Sequence, residues 1–477
     1  MFKLLGPLLG LCVALFSELD PSQPYVSEMA GIALWMCIWW FSEAVSIAVT
    51  ALVPVFMLPL LGISDVKSVA QQYSDSIIFL FIGGFMLAFA IEKWNLHKRI
   101  ALTILSALGN NASSILMGVM LSAYLISNWI SNTATTVMLF SAVYALIHET
   151  RRYIPSNSHA FASAMLLGLA FSATIGGMAT PVGTPPNMYF FKSFKEAFPG
   201  EELNFITWSA IGFPLSLVFL CCTYLVLNTY FIRRKVKLDM GSSYFKLELQ
   251  KLGAMTYEEK TVFMTALFAI VLWFTRADIN FGSFRYSGWN HLFRKADFID
   301  DSFVALLVAL FLFLMPSRSE KNKSLLEWDD AKKIRYDIIL MFGSGFALAH
   351  GFEQSGLSRW LAESLQVFRH VPPFLLILGL CLIVTIISEF ASNIASIQLV
   401  IPIMMALYKE LHVPPLLLMM PATFAASLGF MLPVATAANT IVFGTREIHM
   451  RDMLRVGFLL DLLGILLIST FCYLYLA

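Results

Sequence analysis

Ser131-Asn132-Thr133 and Ser392-Asn393-Ile394 are two short polar clusters, each set in the middle of a long apolar stretch. Polar side chains cost free energy in hydrocarbon unless something uses them. An asparagine amide can turn its carbonyl to a cation and its NH2 to a carboxylate, and serine and threonine hydroxyls do the same on a smaller scale. A second pair of elements recurs with them. ATIGGMATPVGTPPN (173–187) and ASLGFMLPVATAAN (426–439) both fit Gly-x-x-x-Pro-Val-x-Thr-x-x-Asn, at Gly177/Pro181/Val182/Thr184/Asn187 and Gly429/Pro433/Val434/Thr436/Asn439. Glycine and proline interrupt helical hydrogen bonding there. Freed carbonyls suit a cation, and N–H groups opening the next helical stretch suit an anion. Two clusters and two broken helices predict two cation pockets around one shared anion pocket. Taken singly, such residues also serve to glue or kink helices; the register of all four favours binding. No Arg or Lys lies near either cluster in the sequence, so a doubly charged anion is expected to be held by N–H groups, hydroxyls and nearby cations.

The elements that must position these groups follow from composition. The chain has 477 residues, 58% of them hydrophobic and 13% charged, with a mean hydropathy of +0.74. A soluble domain carries about 25% charged residues, so the fold class expected is an all-α polytopic membrane protein. A net charge of +1 excludes a strongly basic nucleic-acid footprint. The six cysteines, Cys12, Cys37, Cys221, Cys222, Cys381 and Cys472, sit in apolar segments without metal-site spacing and read as packing residues. The N-terminal MFKLLGPLLGLCVALFSEL has no clear small-residue cleavage site, so it reads as a retained first helix rather than a signal peptide.

With about 20 apolar residues per span, eleven spans are expected, near 4–18, 28–44, 46–62, 76–95, 160–191, 208–232, 260–275, 302–316, 336–351, 414–444 and 453–476. The stretches 113–148 and 373–407 are interrupted at the Ser-Asn clusters, with arms of about 15 residues. They read as re-entrant hairpins. This layout, with the N-terminus cytoplasmic and the C-terminus outside, puts 22 basic residues inside and 10 outside. An internal repeat is explicit. Residues 81–101 align without gaps to 342–362, and the same offset of 261 carries Ser131-Asn132 onto Ser392-Asn393. In the layout the two copies run in opposite directions, as inverted repeats do. The predicted organisation is a first helix and outside loop (1–27), repeat 1 (28–232, with hairpin 113–148 and broken helix 160–191), a cytoplasmic linker (233–259), and repeat 2 (260–477, with hairpin 373–407 and broken helix 414–444).

At these motifs the chain resembles the divalent anion/sodium symporters, which carry dicarboxylates, citrate or sulfate. FLFIGGFMLAFAIEKWNLHKRIAL, ISNTATT, GGMATPVGTPPN, LGAMTYEEK and FMLPVATAANTIVFG look like family signatures, and the resemblance covers nearly the whole chain. It implies a homodimer in the cell (plasma or inner) membrane, a scaffold domain, and a transport domain that moves like an elevator. Carried over by motif, it implies a first sodium site of Ser127, Ser131, Asn132 and Gly183, and a second of Ser388, Ala391, Ser392, Asn393 and Ala435. The substrate carboxylates would meet Asn132, Thr133, Thr184, Pro185, Asn393, Ile394 and Thr436. The partners implied are a small divalent anion, Na+ as coupling ion, and lipid, with no cofactor. The function expected is sodium-coupled symport of C4 dicarboxylates such as succinate, malate or fumarate. The alternatives are a sodium-independent exchanger, or a sulfate or citrate carrier on the same fold. No enzyme motif was found: there is no HExxH, and no Ser/His or paired-Asp arrangement at suitable helical spacing.

The second half departs from the family pattern. Ile394 stands where a Thr is usual, and Ala437-Ala438 where Pro-Pro is usual. These changes read either as drift or as an altered substrate preference. Glu43 reads as an interfacial residue, with a proton-coupling carboxylate as the alternative. Glu389, three residues before Ser392, reads as tuning the second cation site or pairing with a neighbour. Glu92 and Glu353 are repeat-equivalent helix-end residues. His97-Lys98-Arg99 opens an amphipathic surface segment, and His350 is a satisfied structural histidine.

Overall fold

The computed structural model describes residues 2–109, 111–151, 154, 157–198, 203–233, 236, 244–281, 284–364, 370–411 and 413–476. Most of the expected linker 233–259 before residue 244 lies outside these, as does Arg369.

The first half begins with α1 (Phe2–Phe16) and α2 (Val26–Ser42), which pack antiparallel. Their backbones touch where a Cβ on Gly10 would lie 2.6 Å from Gly31 O. Two short helices follow, α3 (Ile47–Thr50) and α4 (Val53–Leu60). The expected single span 46–62 is therefore broken at Ala51-Leu52, and Pro54 explains it: proline has no N–H to continue the α3 ladder. Next come α5 (Val66–Gln71), α6 (Ser76–Lys93), α7 (Leu96–Leu108), α8 (Ala112–Ser127), α9 (Asn132–Thr150), α10 (Ser158–Gly177), α11 (Pro185–Ala197) and α12 (Phe205–Leu227). The second half contains α13 (Tyr244–Lys251), α14 (Tyr257–Thr275), α15 (Asp301–Leu314), α16 (Trp328–Ala331), α17 (Tyr336–Ser355), α18 (Leu357–Ser364), α19 (Pro373–Phe390), α20 (Asn393–Leu411), α21 (Pro415–Ala425), α22 (Ala437–Phe443) and α23 (Met450–Leu476). Among the described residues β structure is limited to an antiparallel pair, β1 (Ile279–Phe281) and β2 (Phe284–Tyr286), in the largest loop, and an isolated bridge between Pro316 and Ser324.

Among the described residues, five helical stretches are long and apolar enough to cross a membrane: 66–93, 158–177, 205–232, 373–390 and 450–476. Seven more are apolar but shorter. The arms of the two interrupted stretches run 16 and 19 residues (α8, α9) and 18 and 19 residues (α19, α20). They exceed the expected 15 because each helix continues past its apolar run into capped or polar ends. Asn111 accepts the Ser114 N–H (2.9 Å) at the start of α8, and α19 begins on Pro373, whose fixed φ suits a first helical turn.

Two hydrophobic clusters form the core. A smaller one joins α2, α4, α5 and α17 to Ala391 and Ala395 at the start of α20. The larger one takes in most of the remaining helices, with α10 buried along almost its whole length. The halves meet where α11 lies against α6, α17, α20 and α21. There Tyr189 stacks on Phe346 (5.1 Å between centroids) and donates to Gly345 O (3.1 Å). Each long-range ion pair of the helical segments joins residues that the basic-residue layout puts on one same side. Lys93–Asp330, Arg99–Glu259 and Arg151–Glu447 fall on one, and Lys192–Asp75 and Arg276–Asp301 on the other.

Candidate functional site

The two helix hairpins turn on the two Ser-Asn clusters. In the first, Ser131 caps α9 by accepting the Ala134 N–H (3.4 Å), and Ser127 donates to Asn132 Oδ1 (3.0 Å). In the second, Ser392 caps α20 by accepting the Ala395 N–H (3.3 Å), and Ser388 donates to Asn393 Oδ1 (3.0 Å). Identical bonds thus brace both asparagines, as the repeat predicts.

The two breaks match as closely. Residues 178–184 separate α10 from α11, and 426–436 separate α21 from α22. In each break the motif asparagine closes the gap. Asn187 Nδ2 donates to Gly177 O (2.9 Å) and Thr180 O (2.8 Å), and Asn439 Nδ2 donates to Gly429 O (2.8 Å) and Leu432 O (3.1 Å). The sequence reading left these asparagines out of the site, although the motif contained them. They satisfy four carbonyls freed by the breaks, so those four are not left wholly to a cation.

Each hairpin tip faces its own break. A Cβ on Gly183 would lie 2.6 Å from Gly177 O and 3.0 Å from Ser127 O. One on Gly177 would overlap Asn132 Oδ1. The equivalent point at Gly429 is 3.7 Å from both Asn393 Oδ1 and Ser388 O, and 3.2 Å from the Ala435 methyl. Three of the four residues in the first predicted cation set (Ser127, Asn132 and Gly183) therefore converge, and so do Ser388, Asn393 and Ala435 of the second. Ser131 and Ser392 serve as helix caps beside them. Ala391 closes the turn, buried, with its N–H on Ile387 O (2.9 Å). The first pocket is the tighter one.

Between the pockets lies a cavity of about 690 Å³. All seven predicted substrate contacts line it: Asn132, Thr133, Thr184, Pro185, Asn393, Ile394 and Thr436. The N-termini of α9, α11 and α20 open onto it, with the shorter α22 beside them. Each such end carries about half a positive charge. Thr436 Oγ1 accepts the Asn439 N–H (3.0 Å), whereas Thr184 makes no such cap and leaves its hydroxyl free for other partners.

The cavity also holds residues the sequence did not place there. Lys333 and Arg335, from the turn before α17, line it together with Glu43 and Glu92. The expectation that no basic residue lies near the clusters is thus corrected. Both are distant in sequence and arrive only through the folding of α16 and α17 over the cavity's mouth. Arg335 is paired with Asp337 and half-exposed, so its charge is partly spoken for. Glu43 sits at the end of α2 in a left-handed turn (φ 45°) and faces this mouth. His97 is buried beneath the amphipathic α7 rather than on its surface, with Nδ1 3.4 Å from Ile91 O. Its burial follows from the turn at Asn95, which points the first residues of α7 back at α6. His350 meets Ser64 Oγ at 3.1 Å, as expected of a satisfied structural histidine.

The chain matches the family described as the sodium:sulfate symporter transmembrane region over residues 12–477. The sodium-dependent dicarboxylate transporter SdcS of Staphylococcus saprophyticus is 36% identical over 477 residues, covering 98% of this chain and 90% of that protein. SdcS of Staphylococcus aureus (strain NCTC 8325) is 36% identical over 480 residues, with the same coverage. Among solved structures, Neisseria gonorrhoeae MtrF, described with a class of antimetabolite efflux pumps, shares the fold at a TM-score of 0.58 and 12% identity, covering 86% of this chain and 83% of that one. Two Ser-Asn tips, two self-closed breaks and a match running from residue 12 to the end therefore point one way: the chain is a multi-pass membrane protein of the sodium:sulfate symporter family.

Proposed function

We propose that this protein is a sodium-coupled symporter of small dicarboxylates, with C4 acids such as succinate, malate and fumarate as its substrates. The observation that carries this reading is the cavity between two oxygen-lined pockets, onto which helix N-termini converge. Asn132 and Asn393 each have Oδ1 turned into a cation pocket and Nδ2 free to meet a carboxylate. A dianion with one carboxylate at each hairpin tip meets Thr133 and Thr184 on one side and Ile394 and Thr436 on the other. Sodium at Ser127, Ser131, Asn132 and Gly183, and at Ser388, Ala391, Ser392, Asn393 and Ala435, supplies countercharge at the hairpin tips, in addition to Lys333 and Arg335 in the cavity lining. The curated relatives' names support sodium and dicarboxylate as the pair of solutes.

In this reading the two hairpins re-enter from opposite faces, and α8–α12 with α19–α23 form a unit that moves as an elevator against a dimeric scaffold. Flat aromatic contacts such as Tyr189 on Phe346 are compatible with such sliding. Lys333 and Arg335 in the cavity lining support a cytoplasmic mouth under the positive-inside rule. The order of binding is sodium first, since the cations build the field that the anion enters.

The test is uptake of labelled succinate into proteoliposomes under an inward sodium gradient, with malate, fumarate, citrate and sulfate as competitors. Uptake that ignores the sodium gradient and instead requires internal dicarboxylate would replace symport by exchange. Competition dominated by sulfate or citrate would replace the substrate class.

A further inference from the structure

The unit α8–α12 with α19–α23 meets the rest of the molecule along α11, and one charge is shut inside that contact. Lys192 of α11 is only 5% exposed. A lysine buried to that degree needs partners for its charge. Its Nζ lies 3.4 Å from both Asp75 Oδ2 and Glu196 Oε1, and it donates to Gln72 Oε1 (3.3 Å). It also stands 3.8 Å from the centre of the Phe346 ring. Glu196 is one turn further along α11 and travels with the lysine. Gln72 follows α5, Asp75 caps α6 and Phe346 is in α17, so these three belong to the scaffold. Among the described residues, Lys192–Asp75 is the one ion pair that joins the two units. Lys93–Asp330, Arg99–Glu259 and Arg276–Asp301 lie within the scaffold, Arg151–Glu447 lies within the moving unit, and the remaining pairs are local.

The second half has no counterpart. The offset of 252 that carries Thr184 onto Thr436 and Asn187 onto Asn439 puts Gly444 opposite Lys192. The offset of 261 puts Tyr336 opposite Asp75. α22 stops at Phe443, whereas α11 runs on to Ala197. Contacts made equally by two inverted repeats leave the two end states alike. A charged contact made by one half alone tips the balance between them.

We propose that Lys192 is a positioning residue for transport. Its pairing with Asp75 clasps the moving unit to the scaffold on the face opposite the cavity mouth, and so holds the cytoplasm-open state. Thr184, at the cavity, and Lys192 ride on the same helix, about 12 Å apart at 1.5 Å per residue. Movement of the substrate site therefore carries the lysine away from Asp75, and the clasp opens once in every cycle. Both charges have a second partner in reserve. Lys192 keeps Glu196, whose side chain is half-exposed. Asp75 borders a small cavity of about 100 Å³, lined also by Lys195, Asp300 and Ser302, where water can take the lysine's place.

This inference rests on the elevator reading, and the experiment separates the two. Asp75 caps α6 by accepting the Ile77 N–H at Oδ1 (2.9 Å), a task asparagine performs equally well. Asp75→Asn thus keeps the cap and removes the charge facing Lys192. The lysine is then buried without its fixed carboxylate, which disfavours the clasped state. The reporter is Ser193→Cys, a small change at a residue 3% exposed, one turn beyond the Tyr189 that stacks on Phe346. Intact cells carrying the full-length protein are treated from outside with a membrane-impermeant maleimide, and protein without the reporter gives the background. Asp75→Asn is expected to speed labelling of the reporter on the order of tenfold. In a Lys192→Met background the same substitution is expected to change nothing, because the charge it acts on is gone. Asp75→Ser, which also caps a helix, carries the same expectation should the asparagine variant fold poorly. A labelling rate that Asp75→Asn leaves unchanged or lowers overturns the proposal, as does an equal increase with Lys192→Met present. Failure of both Asp75 variants to fold also overturns it, because Asp75 would then be a folding residue. A reporter that is never labelled from outside with Asp75 intact, even during succinate uptake, sinks the elevator reading itself.

Discussion

Gly183→Ala is the sharpest test of the first cation pocket. Gly183 occupies a position where an added methyl would stand 2.6 Å from Gly177 O, 2.9 Å from Gly177 Cα and 3.0 Å from Ser127 O. All three are backbone atoms, held by α8, by α10 and by the Asn187 bond to Gly177 O (2.9 Å). They cannot rotate away as a side-chain end would, so the break or the hairpin tip must shift. Overpacking of this kind costs about 1–3 kcal/mol. If the strain is relieved by opening the pocket, it appears as a roughly 5- to 150-fold weaker sodium affinity. The second break provides the comparison, with Ala435 already standing at the position equivalent to Gly183 and Gly429 at that of Gly177. A methyl at Gly429 would meet only the Ala435 methyl at 3.2 Å, with Asn393 Oδ1 and Ser388 O both at 3.7 Å. Gly429→Ala is therefore expected to cost much less. The assay is the sodium concentration that half-saturates succinate uptake in proteoliposomes, read beside the sodium-dependent rise in melting temperature. Equal half-saturation for Gly183→Ala and wild type, in a protein that still melts cooperatively, would refute the assignment of this pocket to a cation.

Ile394→Thr restores a hydroxyl beside Asn393 and is expected to reorder competition among succinate, malate, citrate and sulfate; an unchanged ranking would mark Ile394 as neutral to substrate choice. Asn187→Ala leaves Gly177 O and Thr180 O buried without their shared donor, so thermal melting should show a loss of about 2 kcal/mol or more, with a parallel loss for Asn439→Ala. Arg276 bonds Asp301 Oδ1 (2.6 Å) and Ile299 O (2.9 Å), with both side chains of the pair nearly buried. Arg276→Ala strands a buried carboxylate and is expected to destabilise the protein by about 3–5 kcal/mol, while Asp301→Asn paired with Arg276→Met should recover much of that loss.

Much of the architecture was legible because it is written twice. The 261-residue offset aligned the clusters, and the glycine–proline motifs marked both breaks to within a few residues. Those signals are local, so a linear reading reaches them. What it missed depends on chain returning from far away. Lys333 and Arg335 lie about 60 residues before Asn393 and about 200 after Asn132, and no local pattern announces that they close one cavity. The split of 46–62 into α3 and α4 turns on the single residue Pro54 inside a continuous apolar run. Nor does spacing alone say that the amide of a motif asparagine reaches back 10 residues to Gly177 O and Gly429 O.

Those two amides have a consequence for ion selectivity. Each break is tied shut by its own side chain, so its shape does not depend on what sits beside it. Fixing a residue's backbone costs about 1–2 kcal/mol, and here that ordering belongs to folding rather than to ion capture. A ring of oxygens held in this way cannot contract around a lithium ion or spread for potassium. If the pockets hold sodium, discrimination by radius would then come from rigidity on the break side of each pocket, with the hairpin tip as the wall left free to adjust.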